Sequence, residues 1–208
     1  HWYGISPRAY RKAYSKNCKE YFLVSKYNKC AAEKEWEEEP LSVTGQVTYV
    51  NIEEKQAIYV RHTGTYETLA KEYTGLLENL LNYAKEHELL QEGKNWLLAM
   101  YYDNPEFGEE IQFRTSICLT VPANITIQEN DIVGKLTLEG GLYAVGHFEI
   151  QQNQYRDAWK YMYQKWISCS GYVPRNSYPF EVYRNNPYTD AEHIHKVDIY
   201  VPIETIHY

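Results

Sequence analysis

The sequence predicts an α+β fold: a tandem, pseudo-twofold pair of strand-strand-helix-strand-strand units, with antiparallel sheets flanked by two long helices and an N-terminal helical segment in front. Three observations predict it. Eight short stretches read as strands and fall into two sets of four. One longer stretch in each set spaces its apolar residues three and four apart, which gives a helix a single buried face. The two sets also run in the same order, with His62 matching His147, Pro105 matching Pro187, and Pro122 matching Pro202 at offsets of 85, 82 and 80. Small loop deletions produce a drift of that kind.

The first unit, residues 44–122, opens with strands at Val47–Asn51 and Ala57–His62, joined by the polar turn Glu53-Glu54-Lys55. Leu69, Tyr73, Leu76, Leu77, Leu80 and Ala84 then mark a helix face. Strands follow at Trp96–Tyr102, ending in Asp103-Asn104-Pro105, and at Ile111–Val121, stopped by Pro122. The second unit, residues 131–203, repeats the order. Ile132–Leu138 and Leu142–Phe148 flank the turn Glu139-Gly140-Gly141. Tyr155, Trp159, Met162, Tyr163 and Trp166 share a helix face. Phe180–Arg184 leads into Asn185-Asn186-Pro187, and the closing strand His193–Val201 stops at Pro202. One such unit cannot cover both faces of its own sheet, whereas two can, and the seam between them is a natural cleft.

Residues 1–43 differ in character from this body. Residues 1–30 carry a net charge of +6 and the remainder −13, within a chain of −7. A basic segment on an acidic body points to nucleic-acid contact at one end only, although a solvated helix face has the same composition. The acidic run Glu33 to Glu39, followed by Pro40, reads as a linker or an exposed helix end. The four cysteines form no CxxC pair, which fits reduced thiols and a cytoplasmic location. No apolar run approaches the roughly 18 residues that cross a bilayer.

Two stretches resemble known families. Gly4-Ile5-Ser6-Pro7-Arg8-Ala9-Tyr10-Arg11-Lys12 resembles the closing helix of the AraC-type helix-turn-helix domain, with Ser at the cap and Pro in the first turn. The resemblance implies that residues 1–43 are the tail of such a domain plus a linker. It also implies that the recognition helix lies before His1, so that DNA is met only through that missing part. The body, residues 44–208, resembles the gyrase-inhibitor-like (GyrI-like) effector-binding domain of bacterial transcription regulators. The matching pieces are Arg61-His62-Thr63-Gly64-Thr65-Tyr66, Tyr101 to Pro105, Gly171-Tyr172, Phe180-Glu181-Val182-Tyr183 with Asn186-Pro187, and Asp198 to Ile203. Where the family often repeats His-x-Gly-x-Tyr, this chain has His147-Phe148-Glu149-Ile150-Gln151.

The resemblance makes Glu181 the acidic residue of the pocket between the units, facing cationic or otherwise polar groups of a small-molecule effector, with a lipophilic cation as one such ligand. Strand alternation independently places Glu181 and Tyr183 on one face. Pattern alone equally fits a solvent-facing Glu paired with Lys or Arg, because a buried carboxylate is costly. The Asn-Pro register makes Ala99 the counterpart of Glu181, and Tyr101 that of Tyr183. Trp159, Tyr163 and Trp166 are helix-face candidates for the aromatic wall, and Tyr66 and Trp96 are further ones. His193 and His195 share a strand face but lack a third ligand, so no metal is expected. No P-loop, GxGxxG or nucleophile elbow is present, and no cofactor is expected.

The leading expectation is therefore an effector-binding domain without catalytic residues, compatible with an oligomer and making no membrane contact. The alternative is a hydrolase of small electrophiles using Glu181 as general acid or base. A third reading, antagonism of a basic protein partner by the acidic body, has no localised surface to support it.

Overall fold

A computed structural model describes residues 41–103, 113–189 and 191–205. The proposed helix-turn-helix tail at residues 4–12 and the basic segment 1–30 lie outside the described residues. Nine strands are described, β1 (Gln46–Ile52), β2 (Lys55–Thr63), β3 (Leu97–Tyr101), β4 (Arg114–Val121), β5 (Val133–Leu138), β6 (Gly141–Ile150), β7 (Tyr172–Pro174), β8 (Phe180–Tyr183) and β9 (His195–Thr205). Two helices cross them, α1 (Tyr66–Glu86) and α2 (Tyr155–Lys160), the second continuing as a π-helical stretch Tyr161–Ile167 and a last turn Ser168–Ser170. The α+β class read from the sequence is the observed one.

All strand pairs are antiparallel, in the order β1-β6-β9-β8-β3-β4-β2-β5, with β7 added beside the end of β9. β1 and β2 do not pair with each other, and neither do β5 and β6. Instead β1 lies on β6 and β2 lies on β5. Only Glu53 and Glu54 separate β1 from β2, a reach of roughly 10 Å, so the two ends of the strand path must meet at this corner. There the connections β1–β2 and β5–β6 cross. A Cβ on Gly140 would stand 2.9 Å from the Glu54 nitrogen and 3.0 Å from the Ile52 oxygen, so only glycine lets the two backbones pass.

α1 begins where the Thr65 side chain accepts from the Thr68 backbone N–H, a threonine N-cap. Its expected stripe is the one that packs. Leu80 and Ala84 are buried, and Leu69, Tyr73, Leu76 and Leu77 lie against the same cluster, with Ile58, Val60, Ile117 and Leu119 from β2 and β4. α2 covers the other half, with Ala158, Met162 and Ile167 packed on Ala144, Phe148, Val197, Ile199 and Val201 from β6 and β9. The opposite sheet face holds a third cluster around Leu98, Met100, Tyr143, Val145, Phe180, Val182 and Tyr200. Each helix thus covers one half of a sheet face, and β3 and β8 form the centre between them.

The closing strand departs from its expected bounds. β9 starts at His195, not His193, and runs through Pro202 to Thr205. The Pro202 carbonyl accepts from the Arg175 backbone N–H at 2.9 Å, so Pro202 turns its nitrogen away from β6 and no ladder bond to β6 is lost. His193 adopts φ 52 outside the strand, which separates it from the face of His195.

Candidate functional site

Glu181 stands in the central strand β8, between Ile199 of β9 and Ala99 of β3. Alternation aims Phe180 and Val182 into the third cluster and turns Glu181 and Tyr183 toward the helices. In β3 the same alternation turns Ala99 and Tyr101 that way. Ala99, the counterpart expected from the Asn-Pro register, is the residue directly across from Glu181.

The carboxylate is 1% exposed. One oxygen, Oε1, accepts from Trp159 Nε1 at 2.5 Å. The other, Oε2, accepts from the Tyr101 hydroxyl at 2.8 Å and the Tyr183 hydroxyl at 3.0 Å. All three donors are neutral, and among the described residues no Lys, Arg or His forms an ion pair with Glu181. Burial raises its pKa from an ordinary 4.5 to about 6, and the three hydrogen bonds work in the opposite direction. Desolvation therefore outweighs three charge-assisted bonds, the balance expected of a buried acid with no counter-cation.

Aromatic rings close round this group. Tyr101 meets Trp159 edge-on at 5.7 Å, and Trp159 stacks on Tyr163 at 6.0 Å and 13°. Tyr73 of α1 meets Tyr183 edge-on at 6.3 Å. Tyr66, at the start of α1 and half-exposed, touches Tyr101 at 6.1 Å and Phe113 at 5.4 Å. Burial, reinforced by the nearby carboxylate, pushes the Tyr101 hydroxyl well above its usual range, and burial does the same for Tyr183. Both therefore remain protonated donors. Tyr155, one turn before Trp159, is also raised, first by burial and then by Glu181. Its hydroxyl lies 2.9 Å from His195 Nδ1, and burial lowers the His195 pKa.

Seven of the nine candidates thus gather at one place: Glu181, Tyr183, Tyr101, Ala99, Tyr66, Trp159 and Tyr163. Two do not. Trp96 falls on the opposite face, packed on Tyr200 at 5.6 Å beneath the Lys55 and Arg184 side chains, because it is three residues from Ala99 in an alternating strand. Trp166 packs on Tyr49 at 5.4 Å, within the wider π turn that breaks the 3.6-residue stripe. Tyr155, Tyr73, Phe113 and His195 belong to the surroundings but were not among the candidates. Helix spacing carried the signal for Tyr155 and Tyr73, and strand alternation carried it for His195.

No cluster of three or more His, Cys, Asp or Glu that would hold a metal occurs among the described residues. Cys118 is buried and free, with its thiol pKa pushed up by burial, and Cys169 is exposed and free. No described helix is long and apolar enough to cross a membrane.

Comparison with known proteins places the fold. A DNA gyrase inhibitor of Yersinia enterocolitica is 29% identical over 153 residues, covering 72% of this chain and 92% of that protein. Among solved structures, the EcmrR C-terminal domain superposes with a TM-score of 0.65 at 15% identity, covering 79% of this chain and all of that one. EcmrR in a complex with DNA matches with the same TM-score, over 96% of this chain and 68% of that one. The family model of the GyrI-like small molecule binding domain matches residues 45–204. The chain therefore belongs to the GyrI-like small-molecule binding domain family.

Proposed function

We propose that the chain is the effector-binding part of a bacterial transcription regulator, and that it takes a lipophilic cation against Glu181 among the aromatic side chains between α1 and α2. The observation that carries this reading is a carboxylate 1% exposed that, among the described residues, is hydrogen-bonded to neutral donors and ion-paired with none. A ligand cation supplies a counter-charge, and the ring faces of Tyr101, Trp159, Tyr163 and Tyr66 attract it and bury its apolar body. On this reading the two matched halves are a duplicated unit and the site is their seam. The AraC-like pattern at residues 4–12, and the DNA complex solved for EcmrR, support an output through DNA.

Calorimetry with rhodamine 6G, a lipophilic cation, tests this. Removing one buried charge-assisted contact should weaken binding by about 10- to 100-fold in Glu181→Gln. Equal affinity for the wild type and the variant would end the charge-recognition reading.

One observation favours a second reading, hydrolysis of small electrophiles. A carboxyl titrating at about 6, with two tyrosine hydroxyls on one oxygen, is equipped for general acid-base work. Turnover of a strained-ring electrophile by the wild type, abolished in Glu181→Gln, would establish it. Binding of cations without turnover would reject it.

A further inference from the structure

Residues 42–45 join residues 1–40 to the body, and they do so against the start of α2. Ser42 donates both its backbone N–H and its hydroxyl to one oxygen of Asp157, at 3.1 and 2.5 Å. Gln154 donates its amide to the carbonyl and the hydroxyl oxygen of Ser42, both at 3.3 Å. The Tyr161 hydroxyl donates to the Gly45 carbonyl at 3.0 Å. Val43 is buried in one cluster with Ala158, Met162 and Ile167. The Ser42 hydroxyl holds the Asp157 carboxyl below its usual range, as expected for a bond made to the charged form.

Two residues beyond Asp157, in the same short helix, Trp159 donates to Glu181. The two peptide units between them are helical, so one element holds the chain's entry at Asp157 and the site's carboxylate at Trp159. Resting on the reading that Glu181 takes the ligand's charge, we propose that the Ser42–Asp157 clasp is coupled to the ligand site through α2, so that occupancy of the site is passed to residues 1–40. Ser42 and Asp157 are positioning residues in this scheme and do not touch the ligand.

The sign follows from the donors. A cation at Glu181 takes up the charge that holds the Trp159 N–H, and the indole bond weakens. α2 then loses its tie to β8, and the clasp at its start loosens. Coupling is reciprocal, so a ligand that favours the open clasp must bind more tightly when the clasp is already cut, and by the same factor.

The full 208-residue chain allows both sides to be measured. Hydrogen exchange reads the Ser42 amide with and without saturating rhodamine 6G, and calorimetry reads rhodamine 6G affinity in the wild type, Ser42→Ala, Asp157→Ala and the exposed control Glu92→Ala, which lies past the far end of α1. Ligand should speed Ser42 exchange by about fivefold or more, at the low end of typical coupling. Asp157→Ala should tighten binding by a matching factor, Ser42→Ala should tighten it less because the backbone N–H remains, and Glu92→Ala should leave it unchanged. Unchanged or weaker binding in both clasp variants, or unaltered Ser42 exchange in a wild type that binds the cation, overturns the proposal. If Asp157→Ala does not fold by circular dichroism, Ser42→Ala decides alone. A wild type that binds no cation overturns the ligand reading itself, and the coupling falls with it.

Discussion

Replacing Glu181 by Gln should make the protein more stable at neutral pH, and the gain should vanish in acid. The carboxyl has a pKa of about 6 in the folded chain and an ordinary value of 4.5 when exposed. Between those values the folded chain keeps a proton that the unfolded chain has lost. Stability conferred by Glu181 is therefore greatest below pH 4.5, falls as pH rises through the interval, and stays low above pH 6. A difference of about 1.5 in pKa corresponds to roughly 2 kcal/mol. Gln keeps the shape without the charge. Its oxygen accepts from Trp159 and its amide meets the Tyr101 and Tyr183 hydroxyl oxygens, so the two hydroxyl hydrogens must turn to other acceptors, a demand that does not change with pH and that the protonated acid makes in part as well. Urea unfolding of both proteins at pH 7.5 and pH 4.5 measures the effect, and subtraction removes every other titrating group. The expected gap is up to about 2 kcal/mol in favour of Gln at pH 7.5, or roughly 4–8 °C in Tm, closing toward zero at pH 4.5. A gap that does not change with pH would refute the argument that burial governs this carboxyl.

Three further outcomes follow from the geometry. Tyr183→Phe removes one neutral donor from Oε2, so the Glu181 pKa should rise above its present value of about 6, read by carboxyl carbon NMR, with a loss of about 1.5–3 kcal/mol at pH 7.5. Ala99→Leu adds bulk directly across from Glu181 and should weaken rhodamine 6G binding by about tenfold or more, while Trp96→Leu and Trp166→Leu, which point elsewhere, should stay within about twofold. Gly140→Ala should cost about 1–3 kcal/mol in urea unfolding, because the atoms its Cβ meets are backbone of the crossing connection and cannot rotate away.

Much of this was legible in the sequence because it depends on local periodicity. Alternation in Phe180–Tyr183 and the Asn-Pro register were enough to bring Glu181, Tyr183, Ala99 and Tyr101 to one face, since a period of two leaves no third choice. The α1 stripe was legible for the same reason at a period of 3.6. What failed was non-local or non-standard. The exchange of β1 and β5 between halves depends on two connections crossing at Gly140, and no local pattern reports which distant strand a neighbour will be. Trp166 was lost to a π turn, which changes the residues per turn without any Pro or Gly to announce it. Trp96 was legible and misread, because the alternation that joins Ala99 to Tyr101 excludes it.

If Glu181 takes the ligand's charge, as proposed, its pairing with Ala99 bears on which ligands the site selects. Two acids facing each other across β3 and β8 could not both ionise when buried, and one would be held protonated, as close carboxylate pairs are. Such a site would still carry about one charge, but with a proton shared between its walls and less room. With Ala99 opposite, the single carboxylate keeps its charge above about pH 6 and faces a small side chain. Its neutral donors stabilise that charge without cancelling it, which a Lys or Arg in the wall would do. On the proposed reading, the site would therefore suit one positive charge on an apolar body. A dication would leave its second charge among tyrosine and tryptophan rings with no second carboxylate among the described residues to meet it, at a desolvation cost of the kind that burial imposes on Glu181.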